Sequence, residues 1–386
     1  MTRDEEIGLI AELLGLDAEN SKFLDEDVTR SPIERYSCPD RFADEMKGLF
    51  RSKPVAAVQS FELAENNAFL SRTVSGLPVL LTRDADGQAH AFLNVCRHRG
   101  AKLVRDEAGC KKRFSCPYHA WTWSNQGELI AVPQESQGFP DLDRSQHALK
   151  ELPVHEAYGF VWVIADSSSS DLGEIQNSLA PLSEDLNWLD LADHRIAVEE
   201  TFEIAANWKT LIEGGIEAYH FRVAHRKTIG PYFPDNLSSY QMLGDNMRSV
   251  LPRITLFELC DQPRETWNIR EHANIIYSIF PGTQLLVQQD HVVWVHLEPL
   301  AVDRTRVRLA TLVPISAPQT EEMQKHWMRN QAITITTLKE DFELGEEIQQ
   351  GFASGANEYL TFGRFEGALH RFNQVLENAM KVPEDA

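Results

Sequence analysis

The chain has 386 residues, which is more than one hydrophobic core usually supports, so its length favours two domains. Hydrophobic residues make up 42% and charged residues 25%, which is typical of a globular protein and argues against disorder or a fibre. The formal net charge of -21 repels phosphate backbones and anionic lipids, so it argues against nucleic-acid and membrane-surface partners.

Residues 1–35 have the pattern of a polar, helical segment. Apolar residues at positions 10–14 predict a helix, and Ser31-Pro32 predicts its end, because the residue before a proline disfavours helical backbone. The acidic N-terminus lacks the apolar stretch of a signal peptide, and no run approaches the ~18 apolar residues of a membrane span. We therefore expect a cytoplasmic protein without a membrane segment.

Residues 36–165 consist of short apolar runs separated by turn signals, for example at residues 77–81, 91–95 and 159–164, and predict a small all-β domain. The Asp- and Ser-rich residues 166–171 are the best linker candidate, so we place a domain boundary after residue 165. The cysteines are odd in number and dispersed, which favours metal binding over a disulfide framework: Cys38, Cys96, Cys110, Cys116 and Cys260.

Two arms of the β domain each carry one cysteine and one histidine: Cys96 with His98, and Cys116 with His119. Residues two apart on a strand project to the same side, and the three-residue spacing of the second arm needs a turn, which Pro117 favours. Two such arms can hold a Rieske cluster, in which two cysteines bind one iron and two histidines the other. The alternative is a structural zinc site, but zinc patterns commonly pair Cys with Cys and His with His.

Cys110 lies between these arms and outside their pattern, so we expect it to be a small buried residue.

Beyond the boundary, a helical stretch at residues 208–222, strands at 292–297 and 306–313, and a long helix at 321–350 predict a mixed domain. His220 and His225 are five apart and would not share a face of a regular α-helix, so a wider π-type turn or a helix end is needed to bring them together. Glu217 and His220, three apart, do share a face. On spacing alone, such histidines are structural about as often as they bind metal.

Two stretches of the sequence resemble the α-subunits of Rieske-type non-haem iron oxygenases, the ring-hydroxylating oxygenase family. The first stretch comprises residues 96–100 and 116–121, although this chain has Ala120 where the family usually has glycine. The second runs from Asn207 through Glu217 to His225. Residues 231–270 lack recognisable motifs, and such variable segments often shape the substrate pocket.

The resemblance implies an α+β fold, in which a small all-β Rieske domain precedes a helix-grip catalytic domain with an antiparallel sheet and a long C-terminal helix. Residues 1–35 then form an N-terminal helical segment that packs on the catalytic domain. The Rieske [2Fe–2S] domain covers residues 36–165, and the catalytic domain with a mononuclear iron covers 166–386. The cluster ligands implied are Cys96, His98, Cys116 and His119.

In this family, two histidines and one carboxylate hold the mononuclear Fe(II), which leaves three coordination positions open for O2 and substrate. The resemblance assigns His220, His225 and Asp341 as these ligands and places Asn207 near the iron. Asp341 borders an apolar stripe of the predicted long helix, where an unpaired carboxylate would be costly. Two alternatives stay open, since Asp341 also fits an exposed acidic run and Glu340 is a rival ligand.

The paired centres imply a terminal oxygenase that activates O2 with external electrons. The sequence shows neither a G-x-G-x-x-G fingerprint after a strand nor a ferredoxin cysteine pattern, so a separate NAD(P)H-dependent reductase is expected, with or without a ferredoxin. Glu217 stands where the family usually has Asp, as in carnitine monooxygenase-like members. This favours hydroxylation or oxidative N-dealkylation of a quaternary ammonium compound over aromatic ring dihydroxylation.

Two non-enzymatic alternatives are a Rieske electron carrier that has lost its iron and a zinc-stabilised ligand-binding protein. Intact iron-ligand candidates argue against the first, and the mixed Cys-His arms argue against the second. An aromatic cage for a quaternary cation would draw on Trp294, Tyr277 or Tyr240, which are more often core residues.

In the family, the cluster of one subunit lies close to the iron of its neighbour in a cyclic trimer, so the resemblance implies a homotrimer. Glu217 would then bridge His220 and His119 of the partner subunit and carry electrons between subunits. The alternative for Glu217 is a solvated helix glutamate.

Overall fold

The computed structural model describes residues 1–169 and 172–381. They form two compact units, one built from Met1–Leu49 and Ala180–Ala386 and the other from Phe50–Leu179. This division differs from the predicted one, since residues 36–49 belong to the larger unit and the helix Leu172–Leu179 belongs to the smaller unit. Residues 170 and 171, the end of the predicted linker, lie outside the described residues.

The larger unit begins with four short elements: α1 (Arg3–Ala18), β1 (Thr29–Pro32), α2 (Glu34–Ser37) and α3 (Pro39–Glu45). A capping box starts α1, because the Thr2 side chain accepts from the Glu5 backbone and Glu5 accepts from the Thr2 backbone at 2.8 Å. Arg3 Nη1 donates to the carbonyl of Trp267 at 2.6 Å and ties the helix to the rest of its unit. The predicted helix end at Ser31-Pro32 was wrong, because α1 ends at Ala18 and Ser31-Pro32 lies in β1.

The smaller unit is almost entirely β-structure. Its strands are β2 (Val55–Gln59), β3 (Ala68–Val74), β4 (Leu77–Arg83), β5 (Ala89–Leu93), β6 (Ala108–Cys110), β7 (Arg113–Ser115), β8 (Thr122–Ser124), β9 (Leu129–Ala131), β10 (Val154–Ala157) and β11 (Phe160–Val163). Its helices are α4 (Glu135–Gly138) and α5 (Leu172–Leu179). Three antiparallel sheets result, with strand orders β10-β11-β2, β5-β4-β3-β6 and β7-β8-β9.

One core of the smaller unit contains both cysteines of the predicted arms. Cys96 and Cys116 are buried together with Trp121, Trp123 and Phe92, so apolar packing fixes the bases of both arms. The expectation that Cys110 is buried was wrong, because it is exposed at the end of β6.

The remainder of the larger unit alternates helices and strands. Its helices are α6 (Ser183–Leu189), α7 (Trp208–Gly214), α8 (Phe221–Ala224), α9 (Ile269–His272), α10 (Glu321–Ala353) and α11 (Gly367–Met380). Its strands are β12 (His194–Ile204), β13 (Ser239–Leu243), β14 (Asn246–Pro252), β15 (Ala273–Ile279), β16 (Thr283–Val287), β17 (Val292–Ala301), β18 (Arg304–Pro314) and β19 (Tyr359–Phe362). Strands β12–β18 form one antiparallel sheet of order β12-β18-β17-β16-β15-β14-β13.

The long helix α10 is anchored to this sheet by Gln331, whose Nε2 donates to the carbonyl of Leu309 at 3.3 Å. Strand β1 pairs with β19 in a separate two-stranded ribbon, with Thr29 opposite Phe362. An antiparallel sheet held against one long C-terminal helix, after an all-β unit, confirms the predicted α+β fold with a helix-grip domain.

Candidate metal centres

The two Cys-His arms are closed by matching hydrogen bonds. Cys96 N donates to the carbonyl of Ala101 at 2.8 Å, and Gly100 N donates to the carbonyl of Cys96 at 2.9 Å. In the second arm, Cys116 N donates to the carbonyl of Trp121 at 2.8 Å, and Ala120 N donates to the carbonyl of Cys116 at 2.9 Å. Each arm is therefore the same tight loop, with a cysteine at its start.

The arms bring like donors together. Cys96 and Cys116 belong to the same buried cluster, and both residues are 3% exposed. The rings of His98 and His119 have centroids 4.8 Å apart, and His98 stacks on Trp121 at 4.7 Å with an interplanar angle of 6°. The smaller unit thus presents one cysteine pair and one histidine pair.

These donors fit an iron–sulfur cluster. Burial raises the pKa of the Cys96 thiol, while burial and the neighbouring ring of His119 lower the pKa of His98. The Nδ1 atom of His98 is buried and has no hydrogen-bond partner among the described residues, which is unfavourable unless another atom fills that position. Coordination to a cluster iron would satisfy it.

A single structural zinc ion fits this group less well. Within residues 1–169 and 172–381, the one group with three donor atoms close enough to share an ion lies elsewhere, in the larger unit. A structural zinc needs four donors around one centre, whereas a two-iron cluster needs the separate pairs that are observed.

The second centre is built around the short helix α8. His220 immediately precedes α8 and His225 immediately follows it, so the two rings meet although they would not share a face of a longer helix. The backbone turns after His225, because Gly230 N donates to the carbonyl of His225 at 2.9 Å. A Cβ at Gly230 would lie 2.8 Å from that carbonyl oxygen, so only glycine allows this close approach.

Three donor atoms converge at this point. The Nε2 atoms of His220 and His225 are 3.1 Å apart, and Oδ1 of Asp341, on α10, lies 3.4 Å from the first and 3.0 Å from the second. All three ligand atoms lie within 4.8 Å of one another, and His225 is only 1% exposed. Two imidazoles and one carboxylate are the donor set expected for a non-haem iron.

A carboxylate supports each imidazole from behind. Glu217 Oε1 contacts Nδ1 of His220, and Glu340 Oε2 lies 2.8 Å from Nδ1 of His225 and accepts from Thr228 Oγ1 at 2.6 Å. A carboxylate at Nδ1 keeps the proton there and turns Nε2 towards the metal position. Asp341 faces Nε2 of both rings, so Glu340 supports a ring and Asp341 faces the shared centre.

The electrostatics of the group favour a cation. Burial lowers the pKa of His220, but the carboxylates of Asp341 and Glu217 outweigh it and raise that pKa to about 10. Burial also lowers the pKa of His225, yet Asp341 and Glu340 raise it overall. The two rings in turn lower the pKa of Asp341 despite its burial. A metal cation can take the place of the protons that the group attracts.

The prediction for Asn207 needs correction. Its fully buried side chain caps α7 by accepting from Lys209 N at 3.0 Å and donates to the carbonyls of Tyr36 at 3.1 Å and Val302 at 2.7 Å. Asn207 therefore begins the helix that leads to the ligands and does not line the cavity beside them.

Two cavities of the larger unit meet at Leu338. Cavity A, of about 280 Å³, is lined by Glu217, His220 and Asp341 together with apolar residues of the sheet and α10. Cavity B, of about 670 Å³, is lined among others by Thr228, Tyr232, Phe233, Arg253 and Leu338.

The aromatic residues suggested for a cation cage line neither cavity. Tyr277 donates to Asp185 at 2.6 Å and Tyr240 to Asp25 at 2.6 Å, and Trp294 is fully buried. Tyr232 and Phe233, within the segment that lacks motifs, line cavity B instead. In the sequence, the one sign that these two residues line a cavity is their position in the segment without motifs.

No helix among the described residues combines the length and the apolar character needed to cross a membrane.

Two family models match this chain. Residues 53–153 match the Rieske [2Fe-2S] domain, and residues 188–382, just over half of the chain, match the ring hydroxylating alpha subunit catalytic domain.

Individual relatives agree with this assignment. The glycine betaine monooxygenase oxygenase subunit of Pseudomonas aeruginosa is 32% identical over 219 residues, which cover 55% of this chain and 50% of that protein. The anthranilate 1,2-dioxygenase large subunit of Acinetobacter baylyi is 30% identical over 201 residues, covering 51% of this chain and 43% of that protein. These matches span half or less of either relative.

Among solved structures, a quaternary ammonium Rieske monooxygenase in complex with L-carnitine has a TM-score of 0.78 and 21% identity, covering 92% of this chain and 97% of that one. At that identity the likeness shows the fold. The two domain matches imply a Rieske cluster and a mononuclear iron, and the fold agrees with them. The chain therefore belongs to the ring-hydroxylating α-subunit family of Rieske non-haem iron oxygenases.

Proposed function

We propose that this protein is the terminal oxygenase component of a multicomponent enzyme and oxidises a small organic substrate with O2. The observation that carries the proposal is the group of His220, His225 and Asp341, whose donor atoms lie within 4.8 Å of one another beside cavity A. These residues would hold an iron ion, which would supply the redox centre at which O2 and substrate react.

We further propose that Cys96 and Cys116 bind one iron of the Rieske cluster and that His98 and His119 bind the other. The adjacent thiols, the adjacent rings and the unpartnered Nδ1 of His98 support this assignment.

The surrounding residues prepare the larger unit for this chemistry. Glu217 and Glu340 hold the proton at Nδ1 of the two rings, so each Nε2 keeps its lone pair for the metal. Apolar residues of cavity A, including Val295, Leu297 and Leu338, limit the access of water to the metal position.

Electrons come from a separate NAD(P)H-dependent reductase, with or without a ferredoxin, since neither matched domain is a nicotinamide- or flavin-binding domain. We propose a cytoplasmic homotrimer in which Glu217 links His220 to His119 of the partner subunit. The support is the contact of one Glu217 oxygen with Nδ1 of His220.

For the substrate, we propose a quaternary ammonium compound that is hydroxylated or oxidatively N-dealkylated. The names of the Pseudomonas relative and of the carnitine-bound structure support this class. Aromatic ring dihydroxylation is the alternative, supported by the anthranilate dioxygenase relative.

Metal analysis followed by turnover tests this proposal. We expect about three irons and two acid-labile sulfides per chain, and one iron fewer in Asp341→Ala with the cluster absorption retained. Pre-reduced protein should then consume O2 with glycine betaine or L-carnitine and release a C–N cleavage product. A dihydrodiol from an aromatic acid would favour the alternative, and a chain with two irons and no O2 uptake would be an electron carrier.

A further inference from the structure

The lining of cavity B contains two arginines and no acidic residue. None of its lining residues is Asp or Glu, although the chain has 58 acidic and only 37 basic residues. Two arginines, Arg253 and Arg329, line it instead. Arg329 lies on the exposed side of α10, whereas Arg253 lies just after β14, at the sheet side of the cavity.

Arg253 is a partly buried cation without an anionic partner. Its Nη2 donates to Asn274 Oδ1 and to Gln288 Oε1, both at 2.7 Å, and its Nε donates to Asn274 Oδ1 at 3.2 Å. Within the described residues it forms no ion pair, and burial lowers the pKa of its guanidinium with no carboxylate to oppose that effect. Arg248, on β14 itself, shows the usual arrangement, since it binds Asp185 at 2.7 Å.

The sheet fixes this arrangement. Ile275 of β15 pairs with Val287 of β16, so Asn274 and Gln288 are the next residues of two adjacent strands. Both amides turn their oxygens to Arg253, and in the part of the chain that the structure describes neither amide nitrogen donates a hydrogen bond. The result is one guanidinium flanked by two amide groups with unused donors, all lining one cavity.

Cavity B borders the residues that surround the metal ligands. Thr228 lines it and donates to Glu340, the carboxylate behind His225. Leu338 lines both cavity B and cavity A, in which His220 and Asp341 lie. Arg253 therefore lies in a cavity that shares a lining residue with the cavity of the metal ligands.

We propose that cavity B binds a carboxylate of the substrate, with Arg253 as its anchor and the amide nitrogens of Asn274 and Gln288 as further donors. The inference rests on the proposed oxygenase function and narrows its substrates to compounds with a carboxylate at one end and the oxidised group at the other. Arginine suits this role because its planar fork matches a carboxylate with two parallel hydrogen bonds.

Paired ligands that differ only in the carboxylate test the proposal. Calorimetric titration of the iron-loaded protein without O2 would compare glycine betaine with choline, and benzoate with benzyl alcohol. One of the two pairs should fit the rest of cavity B, and within that pair we expect the wild-type protein to bind the carboxylate more tightly than the alcohol. Arg253→Gln should weaken binding of that member by about 10- to 100-fold and leave the alcohol unchanged.

Two further variants serve as controls in this test. Arg253→Lys keeps the charge without the fork and should bind with intermediate affinity, and Arg304→Gln, an exposed arginine of β18, should bind like the wild type. The cluster absorption and the iron content confirm that each variant is folded. Equal affinity of wild type and Arg253→Gln for the carboxylate, or a preference of the wild type for the alcohol, would overturn the proposal.

The outcome separates this inference from the oxygenase function. If ligands bind in an Arg253-dependent way but no O2 is consumed, the carboxylate site is supported and the oxygenase function is contradicted. If O2 is consumed and product forms independently of Arg253, the oxygenase function is supported and the carboxylate site is contradicted.

Discussion

Gly100 and Ala120 occupy equivalent positions in the two Cys-His loops, and both have left-handed backbone, with φ of 78° and 58°. Ala120 therefore adopts a conformation that a Cβ disfavours by roughly 1 kcal/mol. We expect Ala120→Gly to raise the stability of the smaller unit by about 0.5–1 kcal/mol, measured as a higher Tm of the cluster absorption. Gly100→Ala is the matched control and should lower Tm, because a Cβ there meets no atom within 4 Å and adds only backbone strain. A lower Tm for Ala120→Gly would mean that the loop is not strained.

Asp341 and Glu340 are adjacent acids with different contacts, so their variants should differ. Asp341→Ala should lose the mononuclear iron, because the shared centre loses its carboxylate. Glu340→Gln should keep that iron with about 10- to 100-fold weaker affinity, because an amide holds the His225 proton less strongly. Chelator competition followed by iron analysis measures both, with the exposed Glu343→Gln as control. If Glu340→Gln lost the iron and Asp341→Ala kept it, Glu340 would be the iron ligand and Asp341 would not.

Glu217→Gln tests electron transfer between subunits. The amide keeps the size of the side chain but weakens the charge-assisted hydrogen bond to His220, so both metal centres should persist while cluster oxidation slows. A single-turnover assay on the pre-reduced variant, with O2 and substrate, follows the cluster absorption. Oxidation at the wild-type rate would remove the bridging role.

Glu213 should make stability depend on pH. Burial raises its pKa to about 7, although hydrogen bonds from Tyr36 at 2.6 Å and Asn373 at 2.7 Å lower it. The ordinary value is 4.5, so between these values the folded protein holds a proton that the unfolded chain releases. Stability therefore falls as pH rises through this window, by about 3 kcal/mol in total.

Glu213→Gln removes that titration. The stability of this variant relative to wild type should rise from pH 5 to pH 8, measured by denaturant unfolding at each pH. The exposed Glu347→Gln should show no such trend. A parallel pH dependence of wild type and Glu213→Gln would show that another group is responsible.

The sequence predicted best what is local along the chain. The arms at Cys96 and Cys116 are short loops, and His220 and His225 flank one turn of helix, so each pair lies within one short motif of the sequence. Asn207 was misjudged because it belongs to the motif by sequence but caps a helix in space. The domain boundary was missed because contacts, and not the composition of the linker, decide which unit a helix joins.

The proposed carboxylate site of cavity B could not be predicted from a local sequence motif. Arg253 follows β14, Asn274 lies in β15 and Gln288 follows β16, and only strand register brings them together. Glu340 was predicted as a rival ligand to Asp341, and its orientation towards Nδ1 of His225 depends on how α10 packs.

The pairing of β1 with β19 also orders events during synthesis. The smaller unit is continuous from Phe50 to Leu179, so it can fold once that stretch has left the ribosome. Strand β1 is made earlier but must wait for Tyr359 and its neighbours, which are made after the whole of the smaller unit. The cluster-binding arms can therefore take up their fold while the first strand is still unpaired, so the proposed cluster could be inserted before the proposed iron site is complete.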